Sequence, residues 1–221
     1  MRQAARGTAA ARATAPDAMR LQVLVRTDRS RMTPVMSMET LMKRLLACTL
    51  FGLVSALPAR AALDIGERAP DFTTQAVLAG SVYRYSLATS LQNGPVVVYF
   101  FPAAYSEGCS AEAHYFAEAI PEFKALGASV IGVSGDDIET LSKFSTQACQ
   151  SRFPVASDPA QTVMKSFDAV MQTRPEYANR ITYVIAPDGK IVYEYMSLNP
   201  TKHVEKTLAA LKAWSESKAR Q

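Results

Sequence analysis

Pro95-Val96-Val97-Val98-Tyr99-Phe100-Phe101 is an unbroken β-branched and aromatic run, and Pro102-Ala103-Ala104-Tyr105-Ser106-Glu107-Gly108-Cys109-Ser110 follows it directly. A strand buried on both faces reads this way, because neither face needs polar residues. Beyond it, Ala111–Leu126 carries Ala113, Phe116, Ile120 and Phe123 at helical spacing, an apolar stripe that faces a core. Pro121 falls inside that helix and is expected to kink or split it. The stretch is therefore a strand-to-helix junction with Cys109 in the first turn of the helix.

Working outward, Asp64–Phe72 is a Pro-punctuated lead-in, Val82–Ser86 alternates like a short strand, and Asn93-Gly94 marks a turn. Downstream, Ala128–Val133 reads as a second buried strand. Asp136 with Glu139 reads as a helix N-cap and its reciprocal partner, and the helix they open presents Ile138, Leu141, Phe144 and Ala148 on one face. Phe153–Ala156 is a third strand and Ala160–Val170 a helix. Ile181–Ala186 and Ile191–Tyr195 flank Pro187-Asp188-Gly189-Lys190 as a hairpin. Asn199-Pro200 caps a last helix with Val204, Leu208, Leu211 and Trp214 inward. Strands alternating with helices imply parallel pairing through the middle, and the closing hairpin adds antiparallel strands. The expected fold is α/β, of thioredoxin-like type: one mixed central sheet flanked by helices, spanning residues 62–221.

Charge separates that domain from what precedes it. Residues 1–61 hold ten Lys or Arg against three acids, whereas residues 62–221 hold 14 bases and 17 acids. The net +4 of the chain thus comes from the leader, and a mildly acidic domain argues against nucleic-acid binding. Within the leader, Lys43-Arg44, the apolar run Leu45–Leu57 and the small residues Ala59 and Ala61 form the three parts of a secretory signal. The segment at about 42–61 is expected to be cleaved after Ala61, leaving a periplasmic or secreted chain with no membrane attachment. Residues before about Met36 fit a signal poorly and read as an upstream over-extension of the reading frame. The Arg-rich, acid-poor composition also fits an organelle transit peptide, which is the alternative. Only three apolar residues separate Cys48 from Arg44, too few for a lipoprotein box, so Cys48 is expected to leave with the signal. Two cysteines remain, Cys109 and Cys149, and in an oxidising compartment an even count allows one disulfide.

A cysteine by itself reads as a small buried hydrophobe. The surroundings of Cys109 change that reading. Sites in α/β sheets form outside the carboxyl ends of the strands. The first turn of a helix offers unpaired N–H groups and the positive end of the dipole, which favour a thiolate. Ser106 can cap the helix, and its hydroxyl is within reach of the Cys109 sulfur or of a bound oxygen ligand. Pro102 ends the strand without an N–H to compete, and Gly108 lets a ligand approach the backbone.

Pro102, Ser106 and Cys109 together spell Pro-x-x-x-Ser-x-x-Cys, which resembles the peroxiredoxin active-site motif Pro-x-x-x-Thr/Ser-x-x-Cys. The resemblance runs from about Leu63 to Trp214. It includes Gly66-Glu67-Arg68-Ala69-Pro70-Asp71-Phe72, Ser129-Val130-Ile131-Gly132-Val133-Ser134, Phe153-Pro154-Val155-Ala156-Ser157-Asp158 and Ile185-Ala186-Pro187-Asp188-Gly189-Lys190. It is most similar to the bacterioferritin-comigratory, or Q-type, subgroup of the AhpC/TSA superfamily. The resemblance implies a thiol-dependent peroxidase acting on hydrogen peroxide or organic hydroperoxides, without metal or cofactor. Cys109 would attack the peroxide, Arg180 would hold the thiolate and the leaving oxygen, and Ser106 with the Cys109 N–H would orient the substrate.

Many Q-type members carry a resolving cysteine five residues after the peroxidatic one; here that place is His114. Others carry it on the next helix, and the resemblance implies that role for Cys149. A packed core cysteine is the plain alternative for Cys149, as a surface residue is for His114. Glu107 stands where relatives often have Pro, Gly or Gln, and a carboxylate so close opposes the thiolate. The implied electron donor is a thioredoxin-like dithiol protein, and the expected assembly is a monomer or weak homodimer. Two competing functions remain open at this level. A thiol–disulfide oxidoreductase would need the missing Cys-x-x-Cys, and a peroxide-sensing relay would use the same Cys109 chemistry. A copper-binding module of this fold would need a second cysteine at position 113, which is alanine.

Overall fold

A computed structural model describes residues 62–220; the expected leader therefore lies outside the described residues. The elements are β1 (Thr73–Leu78), β2 (Ser81–Ser86), α1 (Leu87–Leu91), β3 (Val96–Phe100), α2 (Glu107–Ala125), β4 (Ser129–Ser134), α3 (Ile138–Gln147), β5 (Val155–Ser157), α4 (Thr162–Ser166), β6 (Ile181–Ile185), β7 (Ile191–Met196) and α5 (Thr201–Ala219). The strands form one seven-stranded sheet in the order β2-β1-β5-β4-β3-β6-β7. β3, β4 and β5 run parallel, while β6 pairs antiparallel with β3 and β7 with β6. This is the mixed α/β sheet expected from the sequence.

β3 is buried throughout because it feeds two cores. Val96, Val98 and Phe100 belong to one cluster, with Leu87 and Leu91 of α1 and Val163 and Met164 of α4. Val97 and Tyr99 belong to the other, with Phe116, Ala117 and Phe123 of α2, Leu141 and Phe144 of α3, and Leu211 of α5. Alternate residues of a strand face opposite sides, so one apolar heptapeptide anchors both layers. Tyr99 fixes its neighbour: its ring would lie 2.7 Å from a Cβ added at Gly132, its partner across the β3–β4 ladder. The same ring stacks on Phe116 at a centroid distance of 4.4 Å, which docks α2 against β3.

Several local expectations differ from the structure. β1, absent from the sequence reading, pairs with β2 through a two-residue turn in which Ala79 and Gly80 both have positive φ. That is the backbone a tight hairpin needs, but alanine in the first position hides it. α2 is a single helix through Pro121 rather than two. The N-cap of α3 is Asp137, which accepts from Thr140 N at 2.7 Å. Asp136 instead accepts from Ala104 N and Ser134 Oγ, each at 2.8 Å. The expected Ala160–Val170 helix shrinks to the five residues of α4, bounded by Gln161 and Asp168 in the left-handed region. α5 buries the expected Val204 and Leu211 together with His203 and Thr207, whereas Leu208 and Trp214 are only partly buried against the same cluster.

Candidate active site

The loop from Pro102 to Ser106 leaves β3 and is held at two points. Its Ala104 amide donates to Asp136 beyond β4, and the Tyr105 ring meets Phe144 of α3 edge-on at 5.4 Å. Tyr105 itself has φ +63, a backbone that side chains seldom adopt and that functional loops often carry. The next residue, Ser106, is the N-cap of α2, and its Oγ accepts from Cys109 N at 3.4 Å while donating to Ala103 O at 3.1 Å. The expected capping role holds. The hydroxyl proton is already given to Ala103, so the lone pairs of Oγ are what a ligand would meet.

Cys109 is the third residue of α2, buried, with Arg180 Nη2 at 3.3 Å from its sulfur. Arg180 enters from the residue before β6, which the antiparallel register places beside the end of β3. Gly108 makes this approach possible, since a Cβ there would stand 3.1 Å from Arg180 Nη2. The close approach expected at Gly108 is thus made by the arginine. Pro102 is half-buried just past the strand, and Glu107 is exposed. Of the residues singled out in the sequence, Ser106, Cys109 and Arg180 converge.

Cys149 is the residue after the α3 cap Ala148, just past the helix rather than on it as the resemblance implies. It is buried in the same apolar cluster as Cys109, and both thiols are free. Burial pushes its thiol well up. Tyr99 and Tyr105 are both within electrostatic reach of it. Gln150 and Ser151, which follow, both have positive φ. His114 is a surface residue, bonded to Gln150 at 2.6 Å and paired with Glu118 at 3.3 Å.

Two further residues complete the centre and were missed in the sequence. Glu112 of α2, fully buried, bonds Arg180 Nη1 through Oε2. His203 of α5, also fully buried, has Nδ1 at 2.8 Å from Thr182 Oγ1 and Nε2 at 2.8 Å from Ser197 O. The signal for Glu112 was an acid three residues after Cys109, hence on the same helix face. The signal for His203 was its place four residues before Thr207 on the inner stripe of α5. Burial pushes the Glu112 carboxyl up to about 8, which the charge and hydrogen bond of Arg180 offset only in part. Burial likewise pushes His203 down to about 4.

Comparison with known proteins gives the family. Residues 65–194 match the AhpC/TSA family, and the chain belongs to it. Peroxiredoxin Q, chloroplastic, of rice is 33% identical over 149 residues, covering 67% of this chain and 66% of that protein. Peroxiredoxin Bcp of Xanthomonas campestris is 29% identical over 157 residues, covering 63% and 97%. The crystal structure of peroxidoxin BcpB from Mycobacterium tuberculosis superposes with a TM-score of 0.62 at 30% identity, covering 68% of this chain and 97% of that one. The Q-type and Bcp resemblance drawn from the motif therefore stands, as does the fold.

Proposed function

We propose that the protein is a thiol-dependent peroxidase with Cys109 as the attacking group. The observation that carries this reading is the 3.3 Å bond from Arg180 Nη2 to the Cys109 sulfur at the N-terminus of α2. A fixed cation and the helix end both favour the thiolate. The thiolate sulfur attacks one peroxide oxygen along the O–O axis. The S–O bond forms as the O–O bond breaks, and the leaving oxygen departs as hydroxide or alkoxide and takes up a proton. Cys109 is left as sulfenic acid, the first rung of thiol oxidation. Arg180 stabilises the charge growing on the leaving oxygen, and its Nε, buried without a partner among the described residues, is one further donor. The second lone pair of Ser106 Oγ accepts the peroxide O–H, and the long Cys109 N–H bond leaves that donor open to sharing.

Cys149 resolves the sulfenic acid in this reading: its thiol sulfur displaces the hydroxyl from Cys109, giving a disulfide and water. A thioredoxin-like dithiol reductant then restores both thiols. Support comes from the shared apolar cluster and from the electrostatic reach between Cys149 and Tyr105 of the Cys109 loop. We place the mature protein, monomeric or weakly dimeric, in the periplasm or outside the cell after cleavage near Ala61. N-terminal sequencing of the exported protein and sedimentation of the mature chain test these two points. For the activity itself, peroxide consumption with a dithiol donor is compared in wild type, Cys109→Ser and Cys149→Ser. Full consumption by Cys109→Ser would overturn the assignment.

A further inference from the structure

Behind Arg180 lies a buried pair, Glu112 and His203, with one oxygen that the hydrogen bonds described so far do not explain. Glu112 Oε2 is bonded to Arg180 Nη1, but Glu112 Oε1 is buried with no hydrogen-bond partner among the described residues. It faces His203 Nδ1 at 3.6 Å. The protons on that ring can be placed by chemistry. Ser197 O is a carbonyl and only accepts, so His203 Nε2 carries a hydrogen. In a neutral ring Nδ1 then presents a lone pair, toward Thr182 Oγ1 and Glu112 Oε1. A carboxylate oxygen held there, 3.6 Å from Nδ1 and with both side chains fully buried, would oppose lone pair to lone pair. A proton on Oε1 turns that opposition into attraction.

We propose that near neutral pH Glu112 is a neutral carboxylic acid, its proton lodged on the Oε1 that faces His203 Nδ1. The consequence is for Arg180, and it rests on the peroxidase reading of Cys109. An ionised Glu112 would divide the guanidinium charge between a carboxylate and the thiolate. A neutral Glu112 still holds the guanidinium through Oε2 as an acceptor, yet leaves its charge to Cys109 and to the leaving oxygen. Glu112 and His203 are thus positioning residues that act through Arg180. The other groups around the imidazole are consistent with this. Arg180, just ahead of β6, opposes protonation of His203, and Tyr195 of β7 meets the ring edge-on at 4.9 Å. Burial favours the neutral form of both partners, Glu112 up and His203 down.

The sign for the reaction follows. As pH rises past about 8, Glu112 ionises, Arg180 is divided, and the rate of Cys109 oxidation falls. Two measurements test this on the full mature protein. The first needs no peroxide: carboxyl 13C and imidazole 15N shifts of the reduced protein are followed from pH 5 to 10. Wild type is expected to show one carboxyl titrating near 8, absent in Glu112→Gln, and His203 as the neutral Nε2–H form from pH 6 upward. A Glu112 carboxyl already ionised at pH 6, or an imidazolium at pH 7, overturns the proposal. The second is the pH profile of Cys109 oxidation by hydrogen peroxide, each variant normalised to its own maximum. Glu112→Gln is expected to lose the alkaline limb. His203→Leu removes the acceptor, so the limb moves to lower pH; Thr182→Val frees the Nδ1 lone pair, so it moves to higher pH. Movement of the His203→Leu limb upward, or no movement in either variant, sinks the role of His203. If no peroxide is consumed while the carbon and nitrogen shifts behave as stated, the peroxidase reading fails and the proton assignment survives.

Discussion

Cys109 and Cys149 are the same residue, equally buried, at opposite ends of two helices. Cys109 sits at the start of α2, beneath the Ser106 cap and against Arg180. Cys149 sits past the end of α3, where the dipole is negative and burial alone acts on the thiol, pushing it up. The two thiols thus differ not in depth but in the groups around them. Cys109, beside a guanidinium at a helix N-terminus, is the proposed nucleophile, and Cys149 lies in an apolar seat that favours the neutral thiol. The sharpest break of this comparison is Cys109→Ser, which is expected to abolish peroxide reduction in a stopped-flow assay. Residual turnover carried by Cys149 would mean that its apolar site does not silence it.

Removing the field rather than the thiol should cost less but still much. Arg180→Met is expected to lower the second-order rate of Cys109 oxidation by about 10²–10³, the usual cost of losing one donor to a developing oxyanion. Arg180→Lys should recover only part of it, because an ammonium cannot hold Glu112 and the sulfur as a fork. Equal rates in wild type and Arg180→Met, measured under single-turnover conditions, would return the contrast between the thiols to the helix terminus alone.

Cys149→Ser probes the other side. The first oxidation of Cys109 is expected to proceed, with sulfenic acid then persisting and passing to sulfinic acid under excess peroxide. Mass spectrometry of the alkylated protein reads both products. Wild type treated with one equivalent should instead show a Cys109–Cys149 bridge. That bridge requires Cα atoms within about 7 Å, and both thiols are free in the resting fold. Where closing the bridge requires either helix end to open, peroxide treatment should raise amide exchange in residues 106–110 or 148–152. A bridge formed without any such change would show that the resting geometry already suffices.

How much of this was readable beforehand depended on whether one residue's signal was local. β3 was legible because seven consecutive residues obey one rule, burial on both faces. Cys109, Ser106 and Pro102 were legible because one loop-to-helix junction holds them. Glu112 was hidden by the habit of reading helix acids as solvent-facing, though it sits three residues from Cys109 on the inner side of α2. His203 was hidden by distance along the chain: its meaning comes from β6 and α2, which only the fold brings to it. β1 was missed because its turn places Ala79 where glycine or asparagine would announce a hairpin. The burial of His203 and Thr207 on α5 was missed because Leu208 and Trp214 outweigh them in apolarity, although the interior offers His203 partners in Thr182 and Ser197.

The smallest expected effect concerns the turn that carries Cys149. Gln150 and Ser151 both adopt positive φ, 50° and 58°, at a cost of about 1–2 kcal/mol for a side-chain-bearing residue. Ser151 is exposed, and its amide still donates to Ser145 O at 2.8 Å, so glycine there would relax the backbone without removing a contact. Set against the greater chain entropy that glycine loses, about 0.5–1 kcal/mol, the net gain is about 0.5 kcal/mol. In a domain of this size that is a rise of about 1–2 °C in Tm. The informative part is kinetic. If strain in this turn helps Cys149 leave its apolar seat, Ser151→Gly should raise Tm and slow the appearance of the Cys109–Cys149 bridge after peroxide, while the rate of sulfenic acid formation stays as in wild type. A variant that is more stable and bridges as fast would show that α3 keeps its end intact, and that the start of α2 is the part that opens.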